Sequence, residues 1–166
     1  KFSGVTRMIL GDWKLSGIST FATGGRGNVS VSYAPAFDNS GGGETCGNYN
    51  IVGDITLPRG ERSIDRWFNT DAVKPVTTTG DLGNDCDPWK FRLPGFNNHD
   101  LSLFKDFRLK GGQVLQYRWE IYNVANSVSF QTVNTAAVFN PNTGAQTNSN
   151  FGKVTAARAE RRMQMA

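Results

Sequence analysis

The sequence predicts an all-β, antiparallel fold, and three observations support this prediction. Short segments alternate between apolar and polar residues with a period of two, as expected for strands, because successive side chains on a strand point to opposite faces. A glycine pair, Gly111 and Gly112, stands between two such segments, where it favours a tight hairpin turn. The chain also contains 19 Gly residues and is 11% aromatic, a composition that favours strands and turns over helices.

The charge and hydropathy of the chain exclude several other classes of protein. The net charge is only +4, and the basic cluster at 153–162 lies apart from the aromatic residues, so no nucleic acid partner is expected. No run of about 18 apolar residues is present, and the sequence therefore predicts no transmembrane helix. The chain begins at Lys1 without a signal peptide, from which we expect a processed product or a portion of a longer protein.

Four segments of the chain are predicted to be strands. They run from 13 to 23, from about 100 to 109, from 114 to 122 and from about 151 to 166. The third has the most regular alternation. One of its faces is apolar and aromatic, and the opposite face is polar: the first carries Leu115, Tyr117, Trp119 and Ile121, and the second carries Gln116, Arg118, Glu120 and Tyr122.

The second and fourth segments alternate less regularly. In the second, Lys105 interrupts the apolar face and Phe104 falls on the polar face, which indicates either a bulge or a less amphipathic strand. In the fourth, Lys153 and Arg161 weaken the alternation. Both segments are nevertheless predicted to be strands.

The connections alternate between one short turn at 110–112 and two long loops, at about 24–97 and 127–150. Transmembrane β-barrels combine short turns on one side with long loops on the other and strands of about ten residues, whereas soluble sandwiches have more even connections. The sequence therefore predicts a segment of a transmembrane-type β-barrel. In such a barrel Leu115, Tyr117, Trp119 and Ile121 would face lipid, while Gln116, Arg118 and Glu120 would face the lumen.

Five segments, in order and spanning almost the whole chain, resemble the C-terminal barrel of Oar-like TonB-dependent outer-membrane receptors. They are GDWKLSGI at 11–18, WFNTDAV at 67–73, LPGFNNHDLSLFK at 93–105, QYRWEIYNVAN at 116–126, and FGKVTAAR at 151–158 followed by RRMQMA at 161–166. The final segment departs from the family pattern, which continues to a terminal aromatic residue.

This resemblance implies that residues 1–166 form the C-terminal part of a β-barrel domain in a Gram-negative outer membrane. It places the two long loops outside the cell and the turn at 110–112 in the periplasm. The partners that it implies are outer-membrane lipid and, through parts of the receptor absent from this sequence, the plug domain and TonB. The transported ligand is not identified by any residue.

The two cysteines, Cys46 and Cys86, lie in the first long loop and are predicted to form a disulfide, with two unpaired thiols as the alternative. A zinc site would need about four ligands, and His99 is far from both cysteines in sequence. Asp85 and Asp87 suggest either a calcium site or, as we prefer, a solvated loop. No catalytic constellation and no cofactor are predicted, and His99 is interpreted as a surface or lumen residue.

Trp67, Phe68 and Trp89 in the same loop are candidate ligand contacts, although they would equally suit packing of the loop on itself. Arg118 and Glu120 are expected to pair with Lys105 or Arg108 on the neighbouring strand, or to contact the plug domain.

Four strands cannot close a barrel, so the first and last strands should pair with strands that this chain does not provide. The primary hypothesis is uptake of a ligand with energy from TonB, and enzyme activity is not expected. The alternative is structural: a released fragment that assembles edge to edge with identical copies into an extracellular tube or filament. A soluble carbohydrate-binding β domain would fit the aromatic residues but not the lipid-like face.

Overall fold

The computed structural model describes residues 4–38, 48–87, 89–158 and 160–166. The chain divides into two compact units. The first, called here the sheet unit, comprises Lys1–Ala22, Phe96–Ser129 and Arg158–Ala166. The second, called the loop unit, comprises Thr23–Gly95 and Phe130–Ala157. The loop unit therefore combines most of both long connections predicted from the sequence.

The described residues form one short α-helix, three single-turn 3-10 helices and twelve strands. The helix is α1 (Gly4–Leu10), and the 3-10 turns are Arg59–Glu61, Thr70–Ala72 and Lys110–Gly112. The strands are β1 (Trp13–Ala22), β2 (Arg26–Gly27), β3 (Ser30–Tyr33), β4 (Tyr49–Ile51), β5 (Val73–Pro75), β6 (Phe91–Arg92), β7 (Phe96–Arg108), β8 (Val114–Tyr122), β9 (Phe130–Val133), β10 (Ala136–Phe139), β11 (Val154–Ala157) and β12 (Arg162–Met165).

The sheet unit contains a four-stranded antiparallel sheet in the order β1-β7-β8-β12. The predicted all-β antiparallel fold is confirmed, and the first three predicted strands are present. The second strand begins earlier than predicted, at Phe96, because Phe96 to His99 continue the pairing with the end of β1. The register of β7 is uninterrupted against β8 from Leu101 to Arg108, so β7 contains no bulge there.

The turn between β7 and β8 follows the glycine-based prediction. Gly111 has a φ of 83° and Gly112 a φ of 80°, values that side chains with a Cβ rarely adopt. The backbone N–H of Leu109 donates to the carbonyl oxygen of Gln113 at 2.9 Å, which closes the turn. Glycine is therefore required here by backbone conformation.

The predicted fourth strand is wrong as a single element. Its first part is β11, which pairs with β9 in the loop unit, and its second part is β12, which pairs with β8 in the sheet. Between them the sequence carries Ala159 and Glu160, residue types that are depleted in strands. The alternation at 151–166 thus belongs to two strands in different units.

The loop unit has a hydrophobic core of its own, which was not predicted from the sequence. Residues from both long connections meet in it, since β3 from the first runs parallel to β10 from the second. The unit also contains three short antiparallel pairs, β2–β6, β4–β5 and β9–β11. The buried core residues include Tyr49, Phe68, Val73, Phe91, Val133, Ala137, Phe139 and Phe151.

The outer edges of the sheet have no partner strand among the described residues. Among the described strands, β1 pairs only with β7, and β12 pairs only with β8. The chain's own described strands therefore leave both edges open, and pairing with strands from elsewhere remains a prediction.

Candidate functional site

One face of the sheet is apolar and exposed. The pairing register places alternate residues of the four strands on it, among them Leu15, Phe21, Leu103, Leu115, Tyr117, Trp119, Ile121, Met163 and Met165. Several of these side chains are largely uncovered: Leu15 is 68%, Phe21 71% and Met165 66% exposed. Contiguous apolar surface of this kind marks contact with a membrane or another protein.

The opposite face of the sheet carries a network of polar side chains across the strands. The Lys14 ammonium lies 2.7 Å from Asp106 Oδ2, and Gln116 Nε2 donates to Asp106 Oδ1 at 2.8 Å. On the next strand, Gln164 Nε2 donates to Glu120 Oε2. These contacts link β1, β7, β8 and β12 side by side through their polar groups.

The expected pairing of Arg118 and Glu120 with Lys105 or Arg108 is wrong. Lys105 pairs in register with Tyr117 and so lies on the apolar face, while Arg108 lies 3.5 Å from Asp12. Arg118 instead lies 3.9 Å from Glu120 on its own strand, with its guanidinium 5.1 Å from the ring centre of Phe104. Phe104 lies directly opposite Arg118 on the neighbouring strand. Its contact with the guanidinium accommodates an aromatic residue on the polar face.

Lys105 is accommodated on the apolar face by local contacts. The residue is only 2% exposed, and its ammonium donates to the carbonyl oxygen of Gly11. The same group lies 5.3 Å from the ring centres of both Trp13 and Phe107. A backbone acceptor and two aromatic faces thus stabilise a cation that the sequence pattern shows only as an interruption.

His99 lies on the same face as Phe21. Its Nδ1 forms a hydrogen bond with Ser19 Oγ at 2.8 Å, and its ring meets Phe21 edge to face at 5.4 Å. These are contacts between neighbouring strands of the sheet, and they involve no acid or second histidine.

The three aromatic candidates for ligand contact occupy different environments in the loop unit. Phe68 is completely buried and stacks on Phe91 at 4.2 Å, so it packs the core and cannot touch a ligand at the surface. Trp67 is half-buried and donates its indole N–H to the carbonyl oxygen of Arg92 at 2.9 Å. Trp89 remains 39% exposed. Trp89 is therefore the candidate that keeps the most accessible surface.

Trp89 lines a cleft that no pattern in the sequence predicts. The cleft has a volume of about 350 Å³ and is bounded by Thr56, Arg59, Arg62, Trp89, Lys90, Phe91 and Arg92. Four of these seven residues are cationic. They were not recognised in the sequence because Arg59 and Arg62 precede Arg92 by some thirty positions, and no periodic pattern joins them.

A model of the outer membrane β-barrel domain matches residues 1–164. No curated protein and no solved structure matches the chain. The chain belongs to the outer membrane β-barrel domain family. As a barrel segment it is assigned to the outer membrane, in agreement with the exposed apolar face of its sheet. No helix of the described residues is long and apolar enough to cross a membrane.

Within this barrel segment, the structure shows that Leu115, Tyr117, Trp119 and Ile121 share one face of β8 and that Gln116, Arg118 and Glu120 share the other. Which of the two faces meets lipid and which meets the lumen remains a prediction, based on their chemistry.

Asp85 of the loop unit forms a buried ion pair with the ammonium of Lys90. Burial alone would raise the pKa of the Asp85 carboxyl, but hydrogen bonds from Lys90 and Tyr49 outweigh burial and hold that pKa below its usual value. Burial, together with the nearby Asp85 carboxylate, raises the pKa of Tyr49. This arrangement differs from the solvated loop that the sequence favoured, and Asp85 and Asp87 form no metal-binding group with other described residues.

The predicted disulfide involves Cys46, which lies outside the described residues. The bond between Cys46 and Cys86 therefore remains a prediction.

Proposed function

We propose that this chain is the C-terminal part of the barrel of an Oar-like TonB-dependent receptor, which takes up a ligand across the outer membrane. The observation that carries the proposal is the sheet: a continuous amphipathic surface whose two outer edges have no partner strand among the described residues. Open edges are not tolerated in lipid, so further strands must complete the wall. In a receptor those strands come from the part of the barrel that precedes this chain.

The polar face supports a role in the lumen of such a receptor. It carries the charged network around Asp106 and the partly exposed Arg118, whose side chain is 48% accessible. Polar and charged groups suit a barrel interior, and there they would contact the plug domain. The order of the five segments that resemble Oar-like receptors supports the same assignment.

Two measurements on the native protein test this proposal. The first is the mass of the protein that carries this sequence in purified outer membranes, together with a shift of its gel mobility on heating, the behaviour of a folded barrel. A mass several times 18.2 kDa with such a shift supports the receptor.

The second measurement concerns energy coupling. Cells lacking the receptor and cells lacking TonB should lose growth on the same nutrient source in a panel, and the full receptor gene should restore growth only when TonB is present. Restoration of growth without TonB would contradict the proposal.

The open edges of β1 and β12 also favour a second candidate function, self-assembly of identical copies of a released fragment. A repeated edge-to-edge contact would give a ring or a filament, depending on whether the rotation closes. A protein mass near 18.2 kDa, in particles of much larger size, would support this candidate and exclude the receptor.

A further inference from the structure

The basic cleft of the loop unit concentrates positive charge without acidic partners. Lys90 is neutralised by Asp85, but Arg59, Arg62 and Arg92 form no ion pair with an acidic side chain in the described part of the chain. Arg62 is held in place by its Nε, which donates to the carbonyl oxygen of Leu57 at 2.8 Å. The cleft thus presents guanidinium groups whose charge is not compensated.

A fourth arginine adds to this charge at the edge of the cleft. Arg26 on β2 is the direct cross-strand partner of Arg92 on β6. Like charges directly opposite each other destabilise a strand pair. Two arginines in this position therefore oppose folding slightly, unless a bound anion neutralises them.

Trp89 orients both of these arginines. The guanidinium carbons of Arg26 and Arg92 lie 4.9 Å and 5.3 Å from the centre of the indole ring. The indole N–H is itself fixed by donation to the carbonyl oxygen of Phe91 at 3.1 Å. A guanidinium held against a ring still presents N–H groups at its edge, which match the paired oxygens of a carboxylate or phosphate.

We propose that this cleft binds a solute through a phosphate or carboxylate group. The anion would be contacted by Arg59, Arg62 and Arg92, which line the cleft, and by Arg26, which lies beside it against Trp89. The volume of about 350 Å³ lies within the range of small-molecule sites. That the bound solute is the transported ligand rests on the proposed function, whereas binding itself does not.

Binding can be measured on the full-length protein in detergent, at constant ionic strength. The probes are glucose 6-phosphate, glucuronate and glucose, which share a sugar ring and differ in their anionic group. We expect one or both anionic sugars to bind and to raise the melting temperature, because a ligand that binds only the folded state stabilises it. Binding of only one of them identifies the oxyanion.

The variants Arg26→Gln and Arg92→Gln should each weaken binding about tenfold, the effect of losing one charge-assisted contact. Each variant is compared with its own melting temperature without ligand, because the substitution removes the like-charge pair together with a guanidinium–indole contact. Arg66→Gln is the matched control: Arg66 lies in the same unit, pairs with Asp71 at the surface and does not line the cleft.

Three outcomes would overturn the inference: no anionic sugar binds at millimolar concentration, glucose binds as tightly as the anionic sugars, or the cleft variants bind as tightly as Arg66→Gln. The uptake experiment is independent of these. If uptake depends on TonB but no anion binds, only the anion-binding role of the cleft is contradicted. If an anion binds but uptake does not depend on TonB, only the receptor proposal is contradicted.

Discussion

The sheet unit and the loop unit differ in the exposure of their apolar side chains. In the sheet, Leu15, Phe21 and Met165 are mostly exposed, and the apolar residues of neighbouring strands lie side by side on one face. In the loop unit, Phe68 and Ala137 are fully buried and belong to a single hydrophobic core. Exposed apolar side chains suit contact with lipid, whereas a buried apolar core suits a unit surrounded by water. The reason is that removing apolar surface from water is favourable, and lipid provides no such driving force.

The difference shows that the two long connections are not simple linkers between strands. They combine short strands from distant parts of the sequence, such as β3 and β10, around one core. Phe91 belongs both to this core and to the lining of the basic cleft, so the core supports one wall of the cleft. The following predictions test whether the two units depend on different interactions, starting with the largest expected effect.

The largest effect is expected in the core of the loop unit. Phe68→Ala should destabilise this unit by about 3–5 kcal/mol, because it removes a buried ring that stacks on Phe91 and meets Phe151 edge to face. Hydrogen exchange of the full-length protein should show faster exchange in the loop unit and little change in the sheet. The control is Leu82→Ala, at a side chain that is exposed in the same unit. Equal effects of the two substitutions would contradict the separate core.

Reduction of the predicted disulfide between Cys46 and Cys86 should destabilise the loop unit by about 3–4 kcal/mol, because the cross-link limits the unfolded chain. Protease sensitivity with and without a reducing agent measures this effect. The double variant Cys46→Ser/Cys86→Ser should be indifferent to the reducing agent. Labelling of both thiols in the unreduced protein would disprove the bond.

In the sheet unit, Trp119→Arg should impair barrel assembly by about 2–4 kcal/mol if the residue lies near the middle of the membrane. Gln116→Arg is the matched control, because it places the same residue on the opposite face of β8, in register with Asp106. The readout is the fraction of protein that shows the heat-dependent shift in gel mobility. A larger defect for Gln116→Arg would reverse the assignment of the two faces.

The smallest effect is confined to acid pH and to the loop unit. The pKa of Asp85 is lower in the folded state than in the unfolded chain, so its stabilising contribution is present above the ordinary carboxyl pKa of about 3.9. That contribution is lost as the pH falls through the lowered folded-state pKa. Denaturation of the loop unit should therefore become easier in acid, and Asp85→Asn should lack this part of the pH dependence. If the wild type and Asp85→Asn show the same dependence of loop-unit stability on pH, Asp85 makes no such contribution.

Local pattern was sufficient to predict most of the sheet. Residues 114–122 alternate so regularly that the strand was predicted with both of its ends, and the glycine pair at 111–112 identified the turn. These features depend on neighbours in sequence, through side-chain alternation and backbone conformation. The same reasoning failed at 151–166, where continuous alternation concealed two strands that pair in different units.

The sequence by itself therefore determined the fold class, the two chemically distinct faces of the sheet and the resemblance to outer-membrane receptors. Only the tertiary structure showed the core around Phe68, the accommodation of Lys105 and the pairing of Arg26 with Arg92 beside Trp89. The physical reason is distance along the chain. Alternation is a local property that each strand carries within itself, whereas the core and the cleft are formed by residues from separate segments, which no periodic pattern connects.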